Sequence, residues 1–153
     1  MGREPPSPAA DLDLPPRLLG ITTFLLSTVG RRARRRLGER LTGHGIRLWH
    51  VAVLSALADF GPANQRDLGR RLGIDPSDLV GVLDDLESAG RLSRRRDPAD
   101  RRRYVVSVTP VGRAALDAAT READAVHDEV LAPLTPAERR QLHALLLRVL
   151  TRG

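Results

Sequence analysis

Between Gln65 and Thr109 the chain runs through one ordered set of signals: a short helical pattern, a glycine turn, a second capped helical pattern and an arginine-rich hairpin. The first pattern is Gln65 to Leu72 (QRDLGRRL) and the second Pro76 to Ala89 (PSDLVGVLDDLESA), with Gly73-Ile74-Asp75 between them. Asp75 is a good N-cap. Pro76 stands at the first helical position, where its missing N–H is not needed, and Gly90 is a good C-terminal stop. Two helices joined by a tight glycine-containing turn make a helix-turn-helix. Immediately behind it lies Arg91 to Thr109, RLSRRRDPADRRRYVVSVT. Tyr104 to Val108 has the β-branched and aromatic composition of a strand, and Asp97-Pro98-Ala99-Asp100 marks a turn. Arg94, Arg95, Arg96, Arg101, Arg102 and Arg103 flank that turn, so the expectation is a β-hairpin with a cationic tip. Alone, such a tip reads either as a solvated loop or as a binder of polyanions, since guanidinium forks match phosphates and fit narrow minor grooves. Placed behind a helix-turn-helix it reads as a wing.

The flanking segments are helical. From Leu12 to Leu41 the apolar positions Leu14, Leu18, Leu19, Ile21, Leu25, Leu26, Val29, Ala33 and Leu37 recur at helical spacing, which predicts one long amphipathic helix. Arg31, Arg32, Arg34, Arg35, Arg36 and Arg40 make its C-terminal half basic: a solvated face, a phosphate contact, or salt bridges to another chain. Gly43-His44-Gly45 breaks the pattern, and Ile46 to Phe60 is apolar on nearly every side, as a central buried helix should be. Behind the wing, Thr109-Pro110 opens another helix with Leu116, Ala119, Ala123, Val126 and Val130 on one face. Thr135 with Glu138 forms a capping box for a last helix, Ala137 to Leu150, striped by Leu142, Leu145, Leu146, Val149 and Leu150. A small winged domain does not need three long apolar stripes for its own core, so the two ends of the chain are expected to build a homodimer. The predicted fold is mainly α with a small β-hairpin wing. Residues 1–11 are a proline-rich tail expected to be disordered, 12–45 the N-terminal dimerisation helix and turn, 46–110 the winged lobe, and 111–153 the C-terminal dimerisation helices.

Composition narrows the function classes. A formal charge of +6 and a pI near 11.3 favour an anionic partner. Aromatic residues, at 3%, are too few for base-stacking platforms, which argues against single-stranded nucleic acid. All 25 basic residues are arginine, a bias that either codon usage or selection for bidentate phosphate contacts would produce. The absence of cysteine rules out disulfides and thiolate metal sites. No membrane-span run or signal-peptide pattern is present, so a cytoplasmic location is expected. His127 and His143 lack metal-ligand spacing and read as structural. No nucleophile-base constellation, P-loop or dinucleotide fingerprint occurs, so neither an enzyme nor a cofactor is expected.

The chain resembles the MarR family of transcription regulators over about residues 12 to 151. Asn64 to Gly73, Leu83 to Gly90, Asp97 to Arg102 and Val106 to Arg113 carry the resemblance, and the D-R-R triplet of the wing with the closing Thr-x-x-Gly are its specific parts. It implies a homodimer that places two recognition helices in successive major grooves of a pseudo-palindromic double-stranded operator, with wings in the flanking minor grooves. It further implies a repressor released by a small, often phenolic or lipophilic, anion bound between the dimer helices and the DNA-binding lobe.

Roles follow from position. Gln65 and Arg66, at a helix N-terminus, suit phosphate contacts. Ser77, Asp78, Val80, Gly81 and Asp84 are the early exposed positions of the recognition helix. Arg94, Arg95 and Arg96 line the approach to the DNA backbone. On an extended segment Asp100 and Arg102 would point the same way, so Asp100 is expected to aim Arg102 into the minor groove, with Arg101 contributing to phosphate binding or exchanging roles with it and Arg103 among the DNA contacts. Family members usually carry polar or basic residues where this chain has Val80 and Gly81, and the helix is acidic through Asp78, Asp84 and Asp85. Valine can touch a thymine methyl and aspartate can accept from a cytosine amine, yet carboxylates repel phosphate, so the wing is expected to carry more than its usual share. The acidic helix also motivates the alternative of a winged-helix protein-interaction module with weak or no DNA readout. His44, Arg47, Trp49 and His50 form a candidate grip for an aromatic carboxylate effector; for Trp49 and His50 the competing reading is ordinary core or interface packing.

Overall fold

The computed structural model describes residues 14–152. The tail expected at residues 1–11 lies outside them. Seven helices and three strands follow in chain order: α1 Pro16–Leu19, α2 Thr22–Thr42, α3 Leu48–Phe60, β1 Ala63–Asn64, α4 Gln65–Leu72, α5 Pro76–Ser88, β2 Leu92–Arg96, β3 Tyr104–Val108, α6 Pro110–Val130 and α7 Pro136–Arg152.

The single N-terminal helix expected from Leu12 to Leu41 is two helices. Gly20 ends the short α1, and Ile21, at φ −102° and ψ 104°, steps into extended backbone before α2 begins. Glycine lowers helix propensity there, and the periodicity of leucines across the break cannot restore the lost turn. The expected hairpin is a three-stranded antiparallel sheet in the order β1-β3-β2. Strand β3 pairs Val108 with Leu92, Val106 with Arg94 and Tyr104 with Arg96, while its other edge takes Ala63 and Asn64 of β1. A two-residue strand is too short to show alternation, so it leaves no periodic signal.

The core gathers Leu41 and Ile46 from the α2–α3 junction, Val53, Leu54 and Leu57 from α3, Leu68 from α4, Leu79, Leu83 and Leu86 from α5, and Leu92 and Val106 from the sheet. Burying each such leucine contributes about 2 kcal/mol. The core of the winged lobe is closed by Leu41 of α2 and Ala119 of α6 as well as by its own residues. Asn64 caps α4 by accepting from the Asp67 N–H at 2.9 Å, and Gly73 closes it in the left-handed region at φ 64°. Asp75 caps α5 through the Ser77 N–H at 2.8 Å. Thr109 caps α6 through the Gly112 N–H at 3.0 Å, and its hydroxyl donates to the Gly90 carbonyl. The turn that begins the recognition helix and the end of the wing are therefore both held by side-chain caps.

The outer helices behave differently. Helix α6 buries Gly112, Ala119 and Val126. It is joined to α2 by ion pairs of Arg40 with Glu122 (3.1 Å) and Glu129 and of Arg36 with Glu129 (3.6 Å), and to the turn after α2 by a hydrogen bond between His44 and Glu122 (3.0 Å). The basic half of α2 is thus engaged in part with the chain's own carboxylates. Neither α1 nor α7 buries a residue. Among the described residues, no helix is long and apolar enough to cross a membrane.

Candidate nucleic-acid interface

Helix α5 turns Leu79, Val82, Leu83 and Leu86 inward, which leaves Ser77, Asp78, Val80, Gly81 and Asp84 on its exposed side. The hydroxyl and N–H of Ser77 hold the Asp75 carboxyl below the usual carboxylate range, so the cap stays ionised at neutral pH. Gln65 is half-buried and Arg66 exposed at the start of α4, and both line an open cleft of about 520 Å³ that reaches Pro76 and Leu79. Sequence position therefore located the exposed side of α5.

Helix α5 carries Asp78, Asp84, Asp85 and Glu87 and no basic residue. Three of these carboxylates have partners supplied from elsewhere. Arg94 of β2 holds Asp84 at 2.6 Å and Glu87 at 3.2 Å, and Arg47, the residue before α3, pairs with Asp85. Arg94 and Asp84 were expected as separate DNA contacts; the structure brings them together as an ion pair. Sequence reasoning missed Glu87, although its place one turn after Asp84 was a usable signal.

The wing tip is organised otherwise than an extended segment would be. The Asp97 N–H donates to the Arg103 carbonyl at 2.9 Å and the Arg103 N–H to that of Asp100, closing a turn. Within it the Asp97 carboxylate accepts the Ala99 N–H at 2.8 Å. Asp100 accepts the backbone N–H of Arg102 at 3.0 Å and pairs with the Arg103 side chain at 3.3 Å. The expectation that Asp100 holds the Arg102 guanidinium is therefore corrected: a residue two along in a turn presents its N–H to an aspartate, not its side chain. Arg96 donates to the Arg101 carbonyl at 2.6 Å and lies over the Tyr104 ring at 4.6 Å. Arg95, Arg101 and Arg102 are exposed and make no side-chain hydrogen bond or ion pair with the described residues.

Of the four residues expected to grip an effector, the structure brings Arg47 and His50 together at Asp85, while His44 turns to another element and Trp49 stays exposed. His44 pairs with Glu122, whose carboxyl His44 and Arg40 together hold below the usual range. Arg47 pairs with Asp85. His50 is 5% exposed; its Nδ1 accepts the Arg47 backbone N–H at 3.2 Å, and its Nε2 lies 3.4 Å from Asp85. Trp49 is 46% exposed. Sequence reasoning also missed Arg91, whose guanidinium donates to the carbonyls of His44 and Gly45 at 3.0 and 2.6 Å and ties the wing base to the α2–α3 turn. Among the described residues, no group of three potential metal ligands is present.

Residues 44–103 match the model of the MarR family. The curated relative YdgJ of Bacillus subtilis, named an uncharacterized HTH-type transcriptional regulator, is 33% identical over 105 residues, which is 69% of this chain and 64% of that protein. The chain spans 64, 62 and 65% of the length of the first three curated relatives it matches. Among solved structures, a MarR-family transcriptional regulator from Rhodococcus sp. RHA1 is 31% identical with a TM-score of 0.72, covering 83% of this chain and 90% of that one. BpsR of Bordetella bronchiseptica, solved in connection with the regulation of its DNA binding by 6-hydroxynicotinic acid, is 28% identical with a TM-score of 0.70, covering 83% and 96%. On this agreement of a family model, a 31% identical solved relative and a shared winged-helix architecture, the chain belongs to the MarR family of transcriptional regulators.

Proposed function

We propose that the protein is a homodimeric, sequence-specific double-stranded DNA-binding repressor, released from its operator by a small aromatic anion. The observation that carries this reading is the set of exposed guanidinium groups on the wing, Arg95, Arg101 and Arg102, that have no partner among the described residues. Exposed cations without internal partners can neutralise phosphates at no cost in broken ion pairs. Arg101 and Arg102, at the tip, are assigned to the minor groove, Gln65 and Arg66 to the backbone, and Ser77, Val80 and Gly81 to the major-groove floor. Arg103 and Arg96 support the tip from within.

The regulation of BpsR by an aromatic acid supports a ligand of that class. The exposed Trp49 indole, two residues after the Arg47 that pairs with Asp85, is the assigned place of entry. A carboxylate that drew Arg47 away from Asp85 would loosen α5 from α3, and the freed Asp85 would face the DNA as an added negative charge.

The test is selection of genomic fragments by the purified protein, followed by titration at varied salt. If two protomers neutralise roughly six to ten phosphates, affinity falls by about 10³ to 10⁵ between 50 and 200 mM salt, and an aromatic acid shortens the lifetime of the complex. Selection that enriches no fragment, or an affinity indifferent to salt, would sink the reading. A second reading, a winged-helix module that binds protein, is favoured by the four carboxylates of α5; capture of a protein partner with no enriched DNA would support it.

A further inference from the structure

Arg94 occupies an unusual place. Strand β2 alternates, and Leu92, on its inner side, is 2% exposed. Arg94 follows two residues later on the same side, so a cation stands where the pleat calls for a core residue. Its side chain is 25% exposed, and its Nε is buried without a hydrogen-bond partner. The two Nη groups reach out of the sheet to Asp84 and Glu87, whose side chains are 55% and 41% exposed. The guanidinium is thus spent on two carboxylates of α5 that would otherwise face outward.

We propose that Arg94 is a positioning residue for DNA binding, acting by masking the Asp84 and Glu87 carboxylates so that α5 can approach a phosphate backbone. The proposal rests on the DNA-binding reading above and deepens it. Helix α5 supplies four negative charges and no positive one. Asp78 stands in its first turn, where the positive end of the helix dipole favours it, and Arg47 covers Asp85. The remaining two fall to Arg94 alone. Without it, two unpaired carboxylates would meet a duplex that carries one negative charge per roughly 1.7 Å, and like-charge juxtaposition opposes association. Arg95, the neighbour on the other side of the strand, cannot substitute, because alternation turns it to the opposite face.

The experiment uses the full chain and a double-stranded fragment recovered by selection with the wild-type protein. Arg94→Ala is compared with the triple variant Arg94→Ala/Asp84→Asn/Glu87→Gln by fluorescence anisotropy across a salt series. Circular dichroism melting shows that each variant is folded. The masking role predicts that Arg94→Ala loses affinity by roughly tenfold to a hundredfold. The triple variant regains most of that loss, with a salt slope equal to that of the wild type. A triple variant no better than Arg94→Ala, with the salt slope lowered by about one per protomer and so about two for the dimer, would show Arg94 touching phosphate itself and overturn the proposal. Wild-type affinity in Arg94→Ala overturns it as well. A wild-type protein that selects no DNA overturns the underlying reading together with this one, whereas loss without rescue removes the masking role alone.

Discussion

Two glycines, Gly112 and Gly81, show how differently the same residue can be constrained. A Cβ on Gly112, in the first turn of α6, would lie 1.9 Å from the Arg91 carbonyl oxygen and 2.9 Å from the Val108 side chain. Backbone touches backbone there, so no side-chain rotation relieves the clash, and α6 has to move away from the wing base. Gly112→Ala is expected to destabilise the fold by about 3 kcal/mol, at the upper end for overpacking. A Cβ on Gly81, by contrast, meets nothing within 4 Å. Alanine there removes the entropic cost of a helical glycine, and Gly81→Ala is expected to stabilise by up to about 1 kcal/mol. Chemical denaturation of the two variants beside the wild type checks both signs; equal midpoints would refute the pair. The Thr-x-x-Gly signature of the sequence thus has a steric cause, because the glycine permits the close contact that docks α6 on the wing.

Between elements, His50 is the joint of α3 and α5. Its Nδ1 accepts the N–H of Arg47, so the neutral ring carries its proton on Nε2, towards Asp85. Burial, and then the charge of Arg47, push its pKa below the ordinary 6.5, only partly opposed by Asp85. The sign follows. The unfolded chain takes up a proton near pH 6.5 while the folded one resists, so stability is fully present above that pH and falls as the solution is acidified towards the lower folded pKa. His50→Gln keeps an acceptor for the cap and removes the titration. Its melting temperature should therefore fall less between pH 7.5 and 5.5 than that of the wild type, and superimposable pH profiles would exclude the assignment. None of this joint was legible in the sequence, because Arg47 and Asp85 meet across 38 positions and nothing local marks the pair. Caps and left-handed turns are local chemistry, so Asn64, Gly73, Asp75 and Thr109 could be expected to bound α4, α5 and α6. The wing arginines were legible as a group, but their individual duties were not. Which one is spent on Asp84 depends on strand parity and on the angle at which β2 meets α5, and which one Asp100 holds depends on a turn that residue types alone do not select.

At the scale of the molecule, the first half of α2 and the helix α7 keep apolar side chains exposed among the described residues. Ile21, Leu25, Leu26 and Val29 are 46, 38, 47 and 48% exposed, and in α7 Leu145, Leu146, Leu147, Val149 and Leu150 range from 39 to 79%. Apolar stripes this exposed call for a partner surface, and a second copy offers the same two stripes in a closed two-fold arrangement. The expected outcome is a dimer by light scattering, with a melting temperature that rises with protein concentration. Leu146→Glu with Leu150→Glu places two charges in the stripe and should yield a monomer whose winged lobe stays folded, since its core draws nothing from α7. Because each half of an operator would then be bound separately, affinity for the selected fragment should fall by about 10² to 10⁴ while the residues that touch DNA are unchanged. A double variant that still sediments as a dimer would place the interface elsewhere. A monomeric variant with full affinity would mean that one wing and one recognition helix suffice, and that the apolar ends serve a partner other than a second copy.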